Sequence, residues 1–248
     1  MVLWSLGLLA LLTTQLVGTA RSGAQSAAAR RDQAILAAAA AGGIQQGIHW
    51  LLTVPDDPAL VSFPARIGVA MVTVTVENQA GRINPNQATL PLLQALLVAL
   101  GESTAVARTI AEGVVDWRTA AAMSVAGELK AKAYAAAGRT YAPPGRLFHS
   151  IEEMGLIPGM TPALLDRMRP HICLYLDTAV TRDAATGPVA KAIASLDEDE
   201  VFFPGAERIF AITAEARGFG QLRVVRRAIV RFRPHSAGLP AILTWERE

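Results

Sequence analysis

The sequence begins with an uncharged, apolar run over residues 1–20, and its first ionisable side chain is that of Arg21. An α-helix rises by ~1.5 Å per residue, so a helix of ~20 residues crosses the ~30 Å hydrocarbon core of a bilayer. A helix formed by this run is apolar on every side, which argues against the one-sided core helix of a small soluble domain. The run therefore predicts a membrane-spanning helix. Its anchoring side chains are Val2, Leu3, Trp4, Leu6, Leu8, Leu9, Leu11, Leu12, Leu16 and Val17.

A cleaved secretory signal peptide is the second interpretation of this run. Ser22-Gly23-Ala24 has the small side chains of a signal-peptidase site. A signal peptide also has a basic region before its apolar core, and no lysine or arginine stands ahead of the run here. The membrane helix is the favoured interpretation.

The composition of the whole chain agrees with contact to a non-aqueous environment. Apolar residues make up 52% of the 248 positions and charged residues 18%, against about 25% charged residues in an average soluble domain. The net charge of +2 supplies none of the clustered positive charge that nucleic-acid binding needs. The single cysteine, Cys173, excludes an internal disulfide framework and a thiol-rich metal site.

Helical signals continue beyond the apolar run. Residues 21–52 contain no proline and are rich in alanine and glutamine, so the helix can extend from the membrane onto a soluble body until it ends near Pro55. Gly42, Gly43 and Gly47 weaken it, each by up to ~1 kcal/mol relative to alanine. A broken apolar stripe runs along one side and comprises Ala27, Ile35, Leu36, Ile44, Ile48, Leu51 and Leu52.

Alternating, β-branched segments predict an antiparallel sheet. Residues 60–77 are predicted as a strand with one buried face, and residues 207–217 and 222–233 as two strands joined by the turn Gly218-Phe219-Gly220. Residues 241–245 form a short final strand. One face of the first strand comprises Ala70, Val72, Val74 and Val76.

Between these β segments the signals are helical. N-terminal caps are predicted at Thr89, at Thr161 and at Ser150, where Glu153 completes a capping box. A helix over residues 104–117 has an apolar face made of Val106, Ile110, Val114 and Trp117.

Together these patterns predict an α+β fold, in which a long N-terminal transmembrane helix packs on a small antiparallel sheet and an all-helical subdomain is inserted between strands. Residues 1–20 form the transmembrane segment, and residues 21–77 the rest of the helix with the first strands. Residues 78–200 form the inserted helical subdomain, and residues 201–248 the C-terminal strands.

Several motifs resemble those of one protein family. Residues 77–86 read Glu-Asn-Gln-Ala-Gly-Arg-Ile-Asn-Pro-Asn and resemble its signature acidic-x-x-x-Gly-Arg-Ile-Asn-x-Asn. Val115-Asp116-Trp117 resembles the Asp-Trp that ends one of its helices. Residues 148–170 resemble its segment Phe-x-Ser-x-Glu-Glu-Leu … Gly-Met-Thr … Leu-x-Pro. Residues 4–10 resemble its membrane helix. The family is general secretion pathway protein K, the K-class minor pseudopilin of bacterial type II secretion. The signature residues are Glu77, Gly81, Arg82, Asn84, Asn86, Asp116, Trp117, Glu153 and Gly159.

The resemblance implies a pseudopilin fold and a structural role in secretion. K-class members are single-pass proteins of the Gram-negative inner membrane, with the soluble body in the periplasm. They cap the pseudopilus tip together with I- and J-class minor pseudopilins. With other type II secretion components, this assembly supports the export of folded proteins across the outer membrane.

The resemblance also sets expectations for the N-terminus. Pseudopilins carry a basic leader that prepilin peptidase removes, so this peptidase is a partner if such a leader precedes Met1. Arg21, Arg30 and Arg31 follow the apolar run, and the positive-inside rule taken alone would place them in the cytoplasm; an upstream basic leader resolves this conflict. Major pseudopilins carry a glutamate near the start of this run. The run has none here, and K-class members also lack it, which suits a subunit that has no further subunit above it in the pseudopilus.

Calcium is the one cofactor that the resemblance raises, because the family's helical insertion can bind it through oxygen ligands. Asp116 is the candidate ligand. Residues 118–121, Arg-Thr-Ala-Ala, supply no second carboxylate, whereas calcium takes 6–8 oxygens. Residues 197–200, Asp-Glu-Asp-Glu, are better explained as a solvated charge run, so the sequence predicts no firm cofactor.

No catalytic constellation is recognisable in the sequence, and we expect no enzyme activity. The four histidines are far apart in sequence, without the i, i+4 spacing of a helical zinc site; they are His49, His149, His171 and His235.

The rival function is that of a membrane-anchored helix-hairpin-helix protein that binds nucleic acid. Residues 156–165 have the outline of that module, in which a turn and a helix N-terminus contact a phosphate. Arg146, Arg167 and Arg169 lie near it in sequence, but Glu152, Glu153 and Asp166 offset their charge. A second basic strip places Arg223, Arg227, Arg231 and Arg233 on one strand face and Arg226 on the other. We expect no nucleic-acid partner.

Overall fold

The computed structural model describes residues 2–54, 58–120, 125–196, 208–218, 220–232 and 240–247, with the backbone alone for residues 2–22, 125–127 and 247. The helices are α1 (Val2–Thr53), α2 (Leu90–Ala99), α3 (Thr104–Arg118), α4 (Val125–Ala136), α5 (Pro162–Met168) and α6 (Gly187–Ala194). The strands are β1 (Leu60–Ile67), β2 (Ala70–Asn78), β3 (Arg208–Arg217), β4 (Arg223–Phe232) and β5 (Ala241–Arg247).

The strands form one five-stranded antiparallel sheet in the order β1-β2-β3-β4-β5. The long helix α1 comes first, and helices α2 to α6 lie between β2 and β3 in the sequence. The predicted α+β class is therefore confirmed, with an N-terminal apolar helix, an antiparallel sheet and additional helices.

The prediction of a single strand over residues 60–77 is wrong. The segment is a hairpin of β1 and β2, with Ile67 opposite Ala70, and Gly68 turns the chain with a φ of +59°. The predicted buried face belongs to β2 alone, where Ala70, Val72, Val74 and Val76 are at most 1% exposed. Met71, between two of them, is 55% exposed.

One face of the sheet is covered by the C-terminal part of α1. Its buried residues are Leu36, Ala39, Ala40, Ile44, Ile48 and Leu51, and they pack against β2, β3 and β4. The predicted stripe is correct from Leu36 to Leu51, but Ala27 is exposed and Leu52 is 55% exposed.

The glycines of α1 are contact points of this interface. A Cβ atom added at Gly43 would lie 2.8 Å from Val72 Cγ1, and one added at Gly47 would lie 2.6 Å from Ile212 Cγ2. Gly42 faces the tip of the Ile67 side chain at 3.2 Å. The absence of a Cβ therefore lets the helix approach the sheet closely, which offsets the propensity cost that the sequence predicts.

Within the described residues, one helical stretch, Gly23–Thr53, is long and apolar enough to cross a membrane by length and composition. Of its apolar window, 44% is buried inside the protein. Burial against the sheet accounts for the apolar residues of this part of the helix, so a bilayer is not needed to explain them.

The prediction of a β3–β4 hairpin is confirmed, and β5 completes the sheet. Val224, Ala228 and Val230 face α1, so their neighbours Arg223, Arg227 and Arg231 share the opposite face, as the spacing predicts. Arg233 lies outside the described residues.

The inserted helices enclose a second apolar core. Ile110, Val114 and Trp117 of α3 are buried there as predicted, but Val106 is 42% exposed and Ala107 is buried in its place. A third, smaller cluster joins the insertion to the open face of the sheet; it comprises Cys173, Leu176, Ile209, Ala211 and Ile229.

Two of the three predicted caps are confirmed. Thr89 Oγ1 accepts a hydrogen bond from the Leu92 amide, and Thr161 Oγ1 accepts one from the Leu164 amide. The capping box at Ser150 is wrong: Ile151–Leu156 is a 3₁₀ helix and the Ser150 side chain makes no capping hydrogen bond.

Candidate functional site

The signature segment connects β2 to α2 and lies between the sheet and the inserted helices. Arg82 Nη2 lies 2.5 Å from Glu77 Oε1, and the Arg82 side chain is 13% exposed. The Gln79 amide donates to the Ile209 carbonyl of β3 at 2.8 Å. The segment is thus fixed to the sheet at its start, and the partly buried guanidinium of Arg82 has its countercharge.

Gly81 lies directly against the backbone of a distant loop. A Cβ at Gly81 would lie 2.0 Å from the carbonyl oxygen of Ala184. Next to it, the Thr181 amide donates to the Ala80 carbonyl at 3.0 Å. Two backbones therefore touch here, and glycine is required because no side chain fits between them.

Asn84 makes the hydrogen bonds that hold the middle of the signature segment in place. It is 2% exposed, its Nδ2 donates to the Leu176 carbonyl at 2.5 Å, and its Oδ1 accepts from the Asn86 amide at 2.9 Å. Its own amide donates to the Ala179 carbonyl at 2.7 Å. A buried amide side chain satisfied in this way fixes one local conformation.

Asn86 joins the segment to the aromatic pair of the insertion. Its Oδ1 accepts from the Phe148 amide at 2.8 Å and its Nδ2 donates to the Phe148 carbonyl at 3.1 Å. The Phe148 ring stacks on Trp117, with centroids 5.6 Å apart and an interplanar angle of 9°. The structure thus brings together Asn86 and Trp117, which are 31 positions apart in the signature.

Arg118 is the member of this cluster that sequence reasoning missed. Its guanidinium donates to the Pro85 carbonyl at 2.6 Å and to the Ala88 carbonyl at 2.5 Å. Burial lowers the pKa of Arg118, although arginine keeps its charge in proteins. The available signal is a cationic residue directly after the Asp-Trp motif, where the family commonly has acidic ones.

The surroundings of Asp116 do not fit calcium. Lys130 Nζ of α4 lies 3.0 Å from Asp116 Oδ1. Burial raises the pKa of the nearby Tyr134 phenol to about 12, and the Asp116 charge adds to the rise. Among the described residues, no group of three histidine, cysteine or acidic side chains could hold a metal ion. Residues 197–200, the other candidate ligands, lie outside the described residues.

Glu153 and Gly159 lie at the turn that resembles a helix-hairpin-helix. Glu153 pairs with Arg146 at 3.2 Å, so its carboxylate is drawn away from the predicted cap. Gly159 has a φ of +86°, a conformation that favours glycine.

The three arginines near the helix-hairpin-helix outline are in ion pairs. Besides Arg146, Arg167 pairs with Glu102 at 2.5 Å and Arg169 with Glu152 at 2.6 Å. The hydrogen bond from Arg169 holds the pKa of Glu152 below its usual range. A phosphate would have to displace these carboxylates, so the geometry does not favour this function.

Burial shifts the pKa of two further titratable groups near the signature segment, Cys173 and His171. Burial raises the pKa of the Cys173 thiol, which disfavours the nucleophilic thiolate at neutral pH. Burial and the charge of Arg82 lower the pKa of His171. The contacts of the described signature residues join segments of the fold.

Sequence comparison decides the family. Residues 66–177 match the family described as type II secretion system (T2SS), protein K, and this range contains every signature residue named above. This match supports a member of the type II secretion protein K family. The resemblance carried by residues 77–86 and 148–170 is thereby confirmed.

The fold of this protein K family member also matches a solved structure. The match is to a chain of the crystal structure of the GspK-GspI-GspJ complex from the enterotoxigenic Escherichia coli type 2 secretion system. The TM-score is 0.68 at 13% sequence identity, covering 89% of this chain and 98% of that one. At this identity the likeness concerns the fold. No curated protein matches the sequence.

Asn86→Ala should destabilise this family member by about 2–3 kcal/mol, because it leaves the Phe148 amide and carbonyl without their partners in a partly buried site. Equilibrium urea unfolding of the detergent-solubilised chain, followed by tryptophan fluorescence, measures this change. Gln87→Ala, at an exposed position one residue later, is the matched control and should change stability by less than about 0.5 kcal/mol. Equal effects of the two variants would show that the Phe148 contacts contribute nothing.

Proposed function

We propose that this protein is a minor pseudopilin at the tip of the type II secretion pseudopilus. In this role it assembles with I- and J-class minor pseudopilins and supports the export of folded proteins across the outer membrane. It acts as a structural subunit without catalytic activity or nucleic-acid partner. Other type II secretion components are further partners, and prepilin peptidase is one if a leader precedes Met1.

The single observation that carries this proposal is the division of α1. The helix has 52 residues, so it is ~78 Å long at ~1.5 Å per residue. Its C-terminal part from Leu36 packs on the sheet, whereas residues 23–31 are exposed. The uncharged residues 2–20 come before that exposed stretch, at the far end of the helix from the sheet.

This division fits a single-pass inner-membrane protein with its body in the periplasm. A run of about 20 apolar residues is long enough to span a bilayer. The N-terminal apolar helix and the family are both consistent with an inner-membrane anchor, which supports the placement of residues 2–20 in the bilayer. We also propose the division of the chain into residues 1–20, 21–77, 78–200 and 201–248 that the sequence predicts; its last boundary lies outside the described residues.

Support for the partners comes from the protein of similar fold, which was crystallised as a GspK-GspI-GspJ complex. I- and J-class pseudopilins are the corresponding partners of this chain. They should bind this chain without added nucleotide or metal.

Co-purification tests the assignment. The tagged full chain is expressed with its I- and J-class partners, solubilised from membranes and captured in chelator. Both partners should be recovered in about stoichiometric amounts, and a chain lacking residues 2–20 should be in the soluble fraction.

An unrelated single-pass protein with the same tag is the control for detergent carry-over. If neither partner is recovered above that control at micromolar concentrations, the tip assignment is wrong. If the truncated chain remains in the membrane fraction, the proposed anchor is wrong.

A further inference from the structure

The last turn of α3 carries an acidic side chain that faces an internal cation. Asp116 Oδ1 lies 3.0 Å from Lys130 Nζ, and the Lys130 side chain is only 16% exposed. A lysine that has lost most of its hydration is stabilised as a cation only by a countercharge. Asp116 supplies that countercharge and thereby holds α4 against α3.

A second cation, the guanidinium of Arg118, donates hydrogen bonds to neighbouring backbone carbonyl oxygens. The two Arg118 hydrogen bonds converge on the carbonyls of Pro85 and Ala88. Carboxylates and backbone carbonyls are the ligand types that calcium uses in proteins. Here Asp116 Oδ1 and the carbonyl oxygens of Pro85 and Ala88 already contact a fixed positive charge.

We propose that Lys130 takes the place of a divalent cation at Asp116, so that the helical insertion of this protein folds without calcium. A calcium ion bound to Asp116 would lie within a few ångströms of the Lys130 ammonium and be repelled by it. Among the described residues, no group of three histidine, cysteine or acidic side chains could hold the ion, whereas calcium needs 6–8 oxygen ligands in all. The single charge of lysine balances the single carboxylate, whereas a divalent ion would leave an excess positive charge.

Tyr134 supports this arrangement of α4. The Tyr134 ring is 3% exposed and lies edge-on to Tyr141, with centroids 6.0 Å apart. Lys130 and Tyr134 are one helical turn apart, so the same face of α4 carries both. The ion pair and the aromatic contact therefore act together to dock α4.

Thermal unfolding of the detergent-solubilised full chain tests the proposal, with 1 mM EGTA compared with 10 mM calcium chloride. The wild-type midpoint should be the same in both. In EGTA, Lys130→Gln should lower the midpoint by about 3 °C, and Lys130→Glu by more, because two carboxylates then face each other. Calcium should recover part of the loss in Lys130→Glu and none in Lys130→Gln.

Lys132→Glu is the matched control, since Lys132 is exposed on the same helix and the charge change is identical. It should leave the midpoint nearly unchanged in both solutions. A wild-type midpoint that rises in calcium overturns the proposal, whichever residues bind the ion. A Lys130→Glu protein as stable in EGTA as Lys130→Gln also overturns it, because Asp116 would then not face position 130.

Discussion

Gly43→Leu should lower the free energy of unfolding by about 3 kcal/mol, because it inserts a side chain between α1 and the sheet. A Cβ at this position would lie 2.8 Å from Val72 Cγ1 and 2.9 Å from Ala214 Cβ. These atoms belong to β2 and β3, and both residues are at most 1% exposed. The contact can be relieved only if the helix moves off the sheet. Urea unfolding of the detergent-solubilised chain measures the loss.

Gly23→Leu is the matched control for this substitution, in the exposed part of the same helix. A Cβ at Gly23 would meet no atom within 4 Å. Leucine has a better helix propensity than glycine, so this variant should be as stable as the wild type or more stable by up to ~1 kcal/mol. If Gly43→Leu behaved like Gly23→Leu, α1 would not lie as close to the sheet as described here.

The glycines of α1 show where local sequence reasoning fails. Helix propensity assigns each of them a cost, and that cost is real for an isolated helix. The compensating contact joins Gly43 to Ala214, which is 171 positions later, so no local window contains it. Periodicity correctly predicted that Leu36 and Ile44 face the core, because burial of one helix face repeats within the window.

The β1–β2 hairpin was missed because a change of phase in the alternation was overlooked. The inward-facing residues are odd-numbered in β1, as at Phe63 and Ala65, and even-numbered in β2, as at Val72. The turn requires only two residues, Gly68 and Val69, between Ile67 and Ala70. Gly68 was a second signal of the turn, but a glycine also fits a strand interior.

The candidate site could be located from the sequence, but its contacts could not. The resemblance identified Asn84 and Asn86 as signature residues. Their partners are Leu176 and Phe148, 92 and 62 positions away, and only the fold determines these pairs. In the sequence, Arg118 only showed that no second carboxylate follows Asp116. In the structure, its guanidinium donates hydrogen bonds to two backbone carbonyls.

Gly81→Ala should cost about 3 kcal/mol or more of stability, since the added methyl group meets backbone and not a flexible side chain. The new Cβ would lie 2.0 Å from the Ala184 oxygen and 2.6 Å from its carbonyl carbon. The loop that contains Ala184 must then move away. Two hydrogen bonds would break with it, Thr181 amide to Ala80 carbonyl and Asn84 amide to Ala179 carbonyl.

The loss should be local, because the sheet does not depend on this contact. Hydrogen exchange, measured together with urea unfolding, should show faster exchange at the amides of Thr181 and Asn84. Amides of the β2–β3 pair should keep most of their protection. Gly155→Ala is the matched control, since its Cβ would make an ordinary contact at 3.6 Å with Leu165 Cδ2. If Gly81→Ala were as stable and as protected as Gly155→Ala, the two backbones would not touch, and the glycine of the signature would need another explanation.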